Sequence, residues 1–376
     1  MSWRGGIRND ESESDESESS VGLVSVDERR VDFGHRTLVM RKGGCALRWH
    51  GRSVVVCAVL AVATLVVTVW ALTLGDYPLS LAKVWAALTG DPEAAFARTV
   101  VVEWRAPRAV AAVVFGAALG VSGAAFQSLI RNPLASPDVI GFTAGSYSGA
   151  LVVIILIHGS YLQLAAGALV GGIATAAVVY LLAWRQGVQG FRLIIVGIAI
   201  SAMLTSLNTW LMLNAKLKVA LSAAAWGAGS LTGTSWDQVL IGSAVIVVLL
   251  GVMAVFSPAL RQLELGDDAA KATGARAERV RLVVLVVGVA LTATVTAAAG
   301  PIVFVALAAP QIARRLTCSP GITLVPAAFT GAFLLAGADV TAQHLLPVAL
   351  PVGVVTVVAG GGYLVWLLIR EARRRR

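Results

Sequence analysis

The chain has 376 residues, of which 57% are hydrophobic and only 14% charged, with a mean hydropathy of +0.80. Soluble domains carry about a quarter charged residues, so the composition excludes a soluble domain and leaves a membrane protein with a polar N-terminal tail. The net charge of +9 does not mark a nucleic-acid binder, because the basic residues fall between apolar runs and form no single patch or helix stripe.

Nine of the 21 acidic residues lie within residues 1–35. Residues 10–20, "DESESDESESS", carry no large apolar side chain and cannot bury enough surface to offset their ordering entropy, so they read as disordered. The tail is long and acidic and lacks the layout of a secretory signal. Arg41, Lys42, Arg48 and Arg52 then bring positive charge to the first apolar run, and residues 1–50 read as one tail, acidic and then basic. Cys45, Cys57 and Cys318, like His35, His50, His158 and His344, are scattered, with no metal-ligand spacing.

A helix needs about 20 apolar residues to cross the hydrocarbon. Runs of that kind occur at 53–73, 107–130, 138–157, 161–183, 192–213, 237–256, 280–299, 302–313, 321–342 and 351–369. The sequence therefore predicts an all-α polytopic membrane protein with ten spans over residues 51–372, followed by a basic C-terminus at 373–376. The eighth run is too short to cross unaided. With Pro301 and Pro310 expected at its ends, it reads as a half-helix packed inside protein, where irregular backbone is tolerated. Broken segments near 132–141 and 300–313 suggest two related halves. With both termini inside, the inner connections and flanks hold 19 Lys and Arg and the outer connections six, which orients the chain. Arg105 and Arg108, on either side of Pro107, are then external.

Gly116-x-x-x-Gly120, Gly141-x-x-x-Gly145, Gly145-x-x-x-Gly149 and Gly167-x-x-x-Gly171 predict close helix approach. No nucleotide-binding G-x-x-x-x-G-K-[ST] is present, and no H-E-x-x-H or G-x-S-x-G, so the chain has no ATPase site of its own and no recognisable catalytic, cofactor or metal site. Asp138, Asp237 and Asp339 fall near span ends. The lack of mid-membrane charge argues against a self-sufficient secondary carrier or channel. The longest inner connection, "PALRQLELGDDAAKATGARAERVRL", offers Asp267 as a helix N-cap and Gly274 as a helix stop, and reads as a rigid protrusion for a partner. In "LIRNPLASPDVIGFTAGS", Pro133 and Pro137 prevent the second span from continuing.

Taken together, "RAPR", "SGAAFQSLIRNPLASPDVIGFTAG", "WGAGSL", "LELGDDAAKATG", "AGPIVFVALAAPQIARRL" and "LPVGVVT" resemble, in order, the FecCD-type permeases, which import iron chelates and cobalamin. The resemblance implies the ten-span architecture of that importer class, a second permease subunit (a copy or a paralogue), cytoplasmic ATP-binding subunits and an extracytoplasmic siderophore-binding protein. It places the chain in the cytoplasmic (inner) cell membrane. It makes Arg105 and Arg108 docking charges for glutamates of the binding protein. It makes the segment with Leu265, Gly266, Asp267, Asp268, Ala270 and Gly274 the coupling helices that meet the ATPase. Ser122, Gln127, Thr143, Ser146, Asn208 and Thr294 are the polar span residues that could line a translocation path. The chain departs from the family where Gln311 replaces a usual histidine and where Gln343 and His344 stand near a position that carries a docking arginine in some members. The function implied is import of a ferric siderophore, with haem or cobalamin import as the alternatives within the family.

Overall fold

The computed structural model describes residues 37–374, apart from 43–44, 185–189, 267–269, 271 and 273–275. A short antiparallel hairpin comes first, β1 (Thr37–Lys42) and β2 (Cys45–His50), with Thr37 opposite His50. The tail reading did not include it; the acidic stretch 10–20 lies outside the described residues. Among the described residues, the regular elements after the hairpin are helical, as expected.

The long helices are α1 (Gly51–Thr73), α4 (Ala106–Ile130), α6 (Tyr161–Ala183), α7 (Gly190–Asn214), α9 (Trp236–Glu264), α10 (Ala277–Ala299), α12 (Leu324–Val340) and α13 (Val352–Arg374). Three shorter pieces complete the bundle: α5 (Phe142–Val152, prolonged to Ile157 in a π register), α11 (Val305–Thr317) and α8 (Leu217–Gly227). Among the described residues, seven helices are long and apolar enough to cross a membrane. With α5, α11 and α13 they match the ten runs read from the sequence.

Two boundaries differ from the reading. Pro258 lies inside α9, which continues to Glu264, and Pro310 lies inside α11, which continues to Thr317. Proline forfeits one rung of the ladder and need not end a helix when the freed carbonyl is accommodated. For Pro310 that carbonyl belongs to Ala306. It faces Gly123 on α4, where any Cβ would collide with it.

Small elements on one end went unread. Between α1 and α4 lie α2 (Leu81–Thr89), started by Ser80, whose side chain accepts from Lys83 N–H, and stopped by Gly90 at φ 80°, then α3 (Ala95–Arg98). Together with Leu72, Leu79, Val100, Val101 and Ala109 they form a small apolar cap.

The centre of the bundle is α4 and α10, which contact each other and most remaining spans. The α4–α12 seam is closely packed along its length. Gly116 lies against the carbonyl of Gly331, and Gly120 against that of Ala327, so that a Cβ at either glycine would strike backbone. The spacing of four predicted from the sequence thus places one continuous ridge of small residues against another. Lipid tails supply no hydrophobic drive for helix association, so close backbone approach does that work. The pairs Gly145/Gly171 and Gly149/Gly167 repeat the arrangement between α5 and α6. Gly141 serves twice: it precedes α5 at φ 89°, a conformation that suits glycine, and it lies close against α7 at Gly197 and Ser201.

The connection from α4 to α5 folds back into the bundle. Ala135, Ser136, Pro137 and Ile140 are buried, and the ring of Phe142 stacks obliquely on Phe126 at 5.4 Å between centroids. This is irregular backbone at depth, sheltered by protein.

Candidate functional site

The chain between α3 and α4 is a π-helix, Thr99–Arg105, and Pro107 marks where it reverts to α. Ala106 N–H pairs five residues back with Val101 C=O. Pro107 has no N–H, so the ladder loses a rung there, and the change of register falls at the missing rung. The neighbouring Val102 carbonyl instead accepts the indole N–H of Trp236 at 2.7 Å, which satisfies it and ties α9 to this corner.

The two arginines flanking Pro107 are thereby held in fixed and different settings. The Arg105 guanidinium donates from Nη1 to Leu72 C=O and from Nη2 to Tyr77 C=O, both at 2.8 Å. It closes the end of α1 and the loop after it. Gly75 beside it sits at φ 136°, a conformation that suits glycine, and a Cβ there would press on Nη2. Arg108 reaches α12. Its Nε donates to Asp339 Oδ2 at 2.8 Å and its Nη2 to Asp339 Oδ1 at 2.6 Å, a two-bond pair with side chains 18% and 8% exposed. The sequence reading identified both arginines but not their internal partners. Asp339 is 231 residues from Arg108, and only the antiparallel α4–α12 register brings them together. His344, exposed on the same end, lies within electrostatic reach of Arg108, Asp339, Arg105 and Asp76. Gln343 is used internally, donating to Leu350 C=O at 3.2 Å.

At the opposite end, Leu265 is strongly exposed and Gly266 adopts φ 119°. Asp267, Asp268 and Gly274 lie outside the described residues. Ala270, grouped with them in the sequence reading, is fully buried in the main core.

The six polar residues assigned to a path are not gathered on an open face. Ser122 donates to Gly288 C=O at 2.7 Å, binding α4 to α10. Gln127 donates to Leu307 C=O at 3.0 Å and accepts from Gln311, binding α4 to α11. Gln311 therefore does the packing and hydrogen-bonding work open to it in place of histidine. Ser146 and Asn208 are buried, and Thr294 donates to Ala290 C=O in its own helix. Ser122 and Gln127 thus mark helix contacts, whereas Ser146 Oγ and Asn208 Oδ1 are buried without a hydrogen-bond partner among the described residues. The exposed polar stripe that was missed lies on α7: Thr205, Ser206 and Thr209, each satisfied by a carbonyl four residues back. Its signal was hydroxyl residues spaced on one side of an otherwise bare apolar helix.

Thr143 led instead to Asp138. Thr143 Oγ1 donates to Asp138 Oδ1 at 2.6 Å, and Phe304 N–H donates to Oδ2 at 3.3 Å. Phe304 is the N-cap of α11 at φ 69°. One carboxylate thus faces the N-terminal ends of both interrupted helices, α5 and α11, where helix dipoles favour negative charge. The two broken segments inferred from the sequence are joined at this residue. Among the described residues no group of three or more His, Cys, Asp or Glu could hold a metal ion.

Comparison with known proteins agrees with this architecture. Residues 63–370 match the model of the FecCD transport family. The ferric enterobactin transport system permease protein FepG of Escherichia coli is 49% identical over 325 residues, covering 86% of this chain and 98% of FepG. The iron(3+)-hydroxamate import system permease protein FhuG of Bacillus subtilis is 36% identical over 281 residues, 72% of this chain and 84% of FhuG. Among solved structures, a metal-chelate-type ABC transporter in an inward-facing conformation superposes with a TM-score of 0.74 at 25% identity, covering 84% of this chain and 99% of that one. The chain is a multi-pass membrane protein that belongs to the FecCD transport family.

Proposed function

We propose that this chain is the membrane-spanning permease subunit of an ATP-driven importer that carries a ferric siderophore across the cytoplasmic membrane, with both termini cytoplasmic. The observation that carries the reading is 49% identity to a ferric enterobactin permease along nearly that protein's whole length. ATP hydrolysis belongs to partner subunits, which meet the chain at the connection beginning with Leu265. A second permease, copy or paralogue, supplies the other half of the path, and the exposed α7 stripe of Thr205, Ser206 and Thr209 is the better candidate lining. An extracytoplasmic binding protein docks at the arginine end. What supports that role for Arg105 and Arg108 is their fixed orientation at one end of the bundle; a guanidinium held by its neighbours loses little freedom on meeting a carboxylate.

The reading is tested by radioactive-iron uptake in a strain lacking this chain, supplied in turn with several ferric siderophores, haem and labelled cobalamin. Loss confined to a ferric siderophore supports the proposal. Loss confined to haem or cobalamin keeps the family and overturns the substrate. The docking role is tested separately with Arg105→Glu and Arg108→Glu combined, in protein that still reaches the membrane. The affinity of the binding protein is expected to fall by about a hundredfold, the scale of truncating a well-placed charged contact. Unchanged affinity overturns it.

A further inference from the structure

Arg108 is already paired before any partner arrives. Asp339 takes its Nε and one hydrogen of Nη2, and only the Nη1 side of the fork stays open in a side chain that is 18% exposed. The pair is also the last rung of the α4–α12 seam. Arg108 stands eight residues before Gly116, and Asp339 eight residues after Gly331, so the ion pair continues the same four-residue ridge that brings those glycines together. Beyond the pair both helices lose their tight register. Thr99–Arg105 lies just outside Arg108, and Thr341–Leu345 just outside Asp339, and both are π-helical. Such wide turns are uncommon and tend to sit at functional sites. The seam is rigid on one side of the pair and loosely wound on the other.

We propose that the Arg108–Asp339 pair is an exchangeable latch, in which a carboxylate of the docking partner takes the guanidinium from Asp339 and the released end of α12 moves. The inference rests on the docking reading of Arg108. Its reason is charge. A second carboxylate approaching Arg108 meets Asp339 across the same guanidinium, and two negative charges then share one positive. Arg105, bonded to the carbonyls of Leu72 and Tyr77, keeps its other N–H groups for the docking partner and does not stand in as a partner for Asp339. Asp339, once displaced, cannot stay where it is: a buried carboxylate without a partner is strongly disfavoured. The adjoining π segment offers the movement that takes it to water. That segment is bonded onward, through Gln343 to Leu350 and through Ala342 C=O to Leu350 N–H at 2.9 Å, so a shift there passes into the connection that leads to α13. Docking is in this way converted into displacement of one helix end against another.

The experiment uses the permease assembled with its second permease and ATPase subunits in lipid nanodiscs, and measures ATP hydrolysis with and without the binding protein. Asp339→Asn keeps the shape and removes the charge. It is expected to raise hydrolysis in the absence of binding protein by about fivefold, the low end of ordinary coupling between sites, and to bring stimulation by the binding protein toward one. Hydrolysis and stimulation at wild-type values overturn the latch. So does weaker binding of the partner with stimulation unchanged, which makes Asp339 only an aligner of Arg108. A charge-swap cycle covers the case in which Asp339→Asn does not assemble. The double variant Arg108→Asp/Asp339→Arg restores an internal pair and is expected to hydrolyse ATP more slowly than either single reversal. Equal rates in all three overturn the proposal. The arm without binding protein is independent of docking, which stands or falls on the affinity of the Arg105→Glu/Arg108→Glu variant.

Discussion

Helices α4 and α7 have the same length and similar apolarity, and the fold treats them in opposite ways. In the continuous helix Ala95–Ile130, 78% of the most apolar window is buried inside the chain; in α7 the figure is 11%. In a soluble protein such a difference would show as a polar face on the exposed helix. Here the bare helix displays Phe191, Ile198, Met203, Trp210 and Leu213. What separates the two is where the small residues stand. At Gly116, Gly120 and Gly123 the partners of α4 meet it backbone to backbone, and around these contacts Phe115, Leu119 and Phe126 are buried as well. Hydropathy places a helix in the membrane, and the distribution of small residues decides what it touches there.

The comparison breaks most sharply at the seam. Gly331→Leu puts a branched side chain against the backbone of Gly116 and Gly120, where nothing can yield without separating α4 from α12. Overpacking ordinarily costs about 1–3 kcal/mol, and a backbone collision lies at or beyond the upper end, so the variant is expected to be absent from membranes by immunoblot. Met203→Leu, on the open side of α7, should accumulate like the parent chain. Equal loss in both would mean that the exposed face is as tightly specified as the seam.

A smaller effect is expected at the single bond that ties α9 to the π segment. Trp236→Phe keeps an aromatic side chain but removes the indole N–H together with its five-membered ring, leaving the Val102 carbonyl unsatisfied in the π segment. The group is only partly buried, so the cost is about 1 kcal/mol, the low end for an unpaired polar group, read as a lower thermal midpoint of purified protein. A midpoint unchanged would mean that the carbonyl finds water.

The smallest effect has the opposite sign. Gly337 lies on the same helix as Gly331, yet a Cβ there meets nothing within 4 Å. Gly337→Ala should therefore stabilise by about 0.5–1 kcal/mol through helix propensity alone. A loss of stability would show that this face of α12 is covered in the assembled transporter, and so would locate an interface.

The ten spans, the all-helical class and the close helix approaches were legible because each depends on local pattern: run length against bilayer thickness, and glycine at intervals of four. The arginines were legible as a motif. Other features depended on register between distant segments. Nothing near Arg108 announces Asp339, and nothing near Asp138 announces Phe304; each pair is made by helices that meet only after the bundle has assembled. For the same reason Ser122 and Gln127 read as path residues and proved to be bonds between helices. The sequence alone determined that this chain crosses a membrane about ten times and which faces can approach closely, because length and side-chain volume act locally. Tertiary structure decided which polar groups are spent on holding helices together and which remain for partners, because a hydrogen bond in hydrocarbon goes to whichever helix the packing brings within reach.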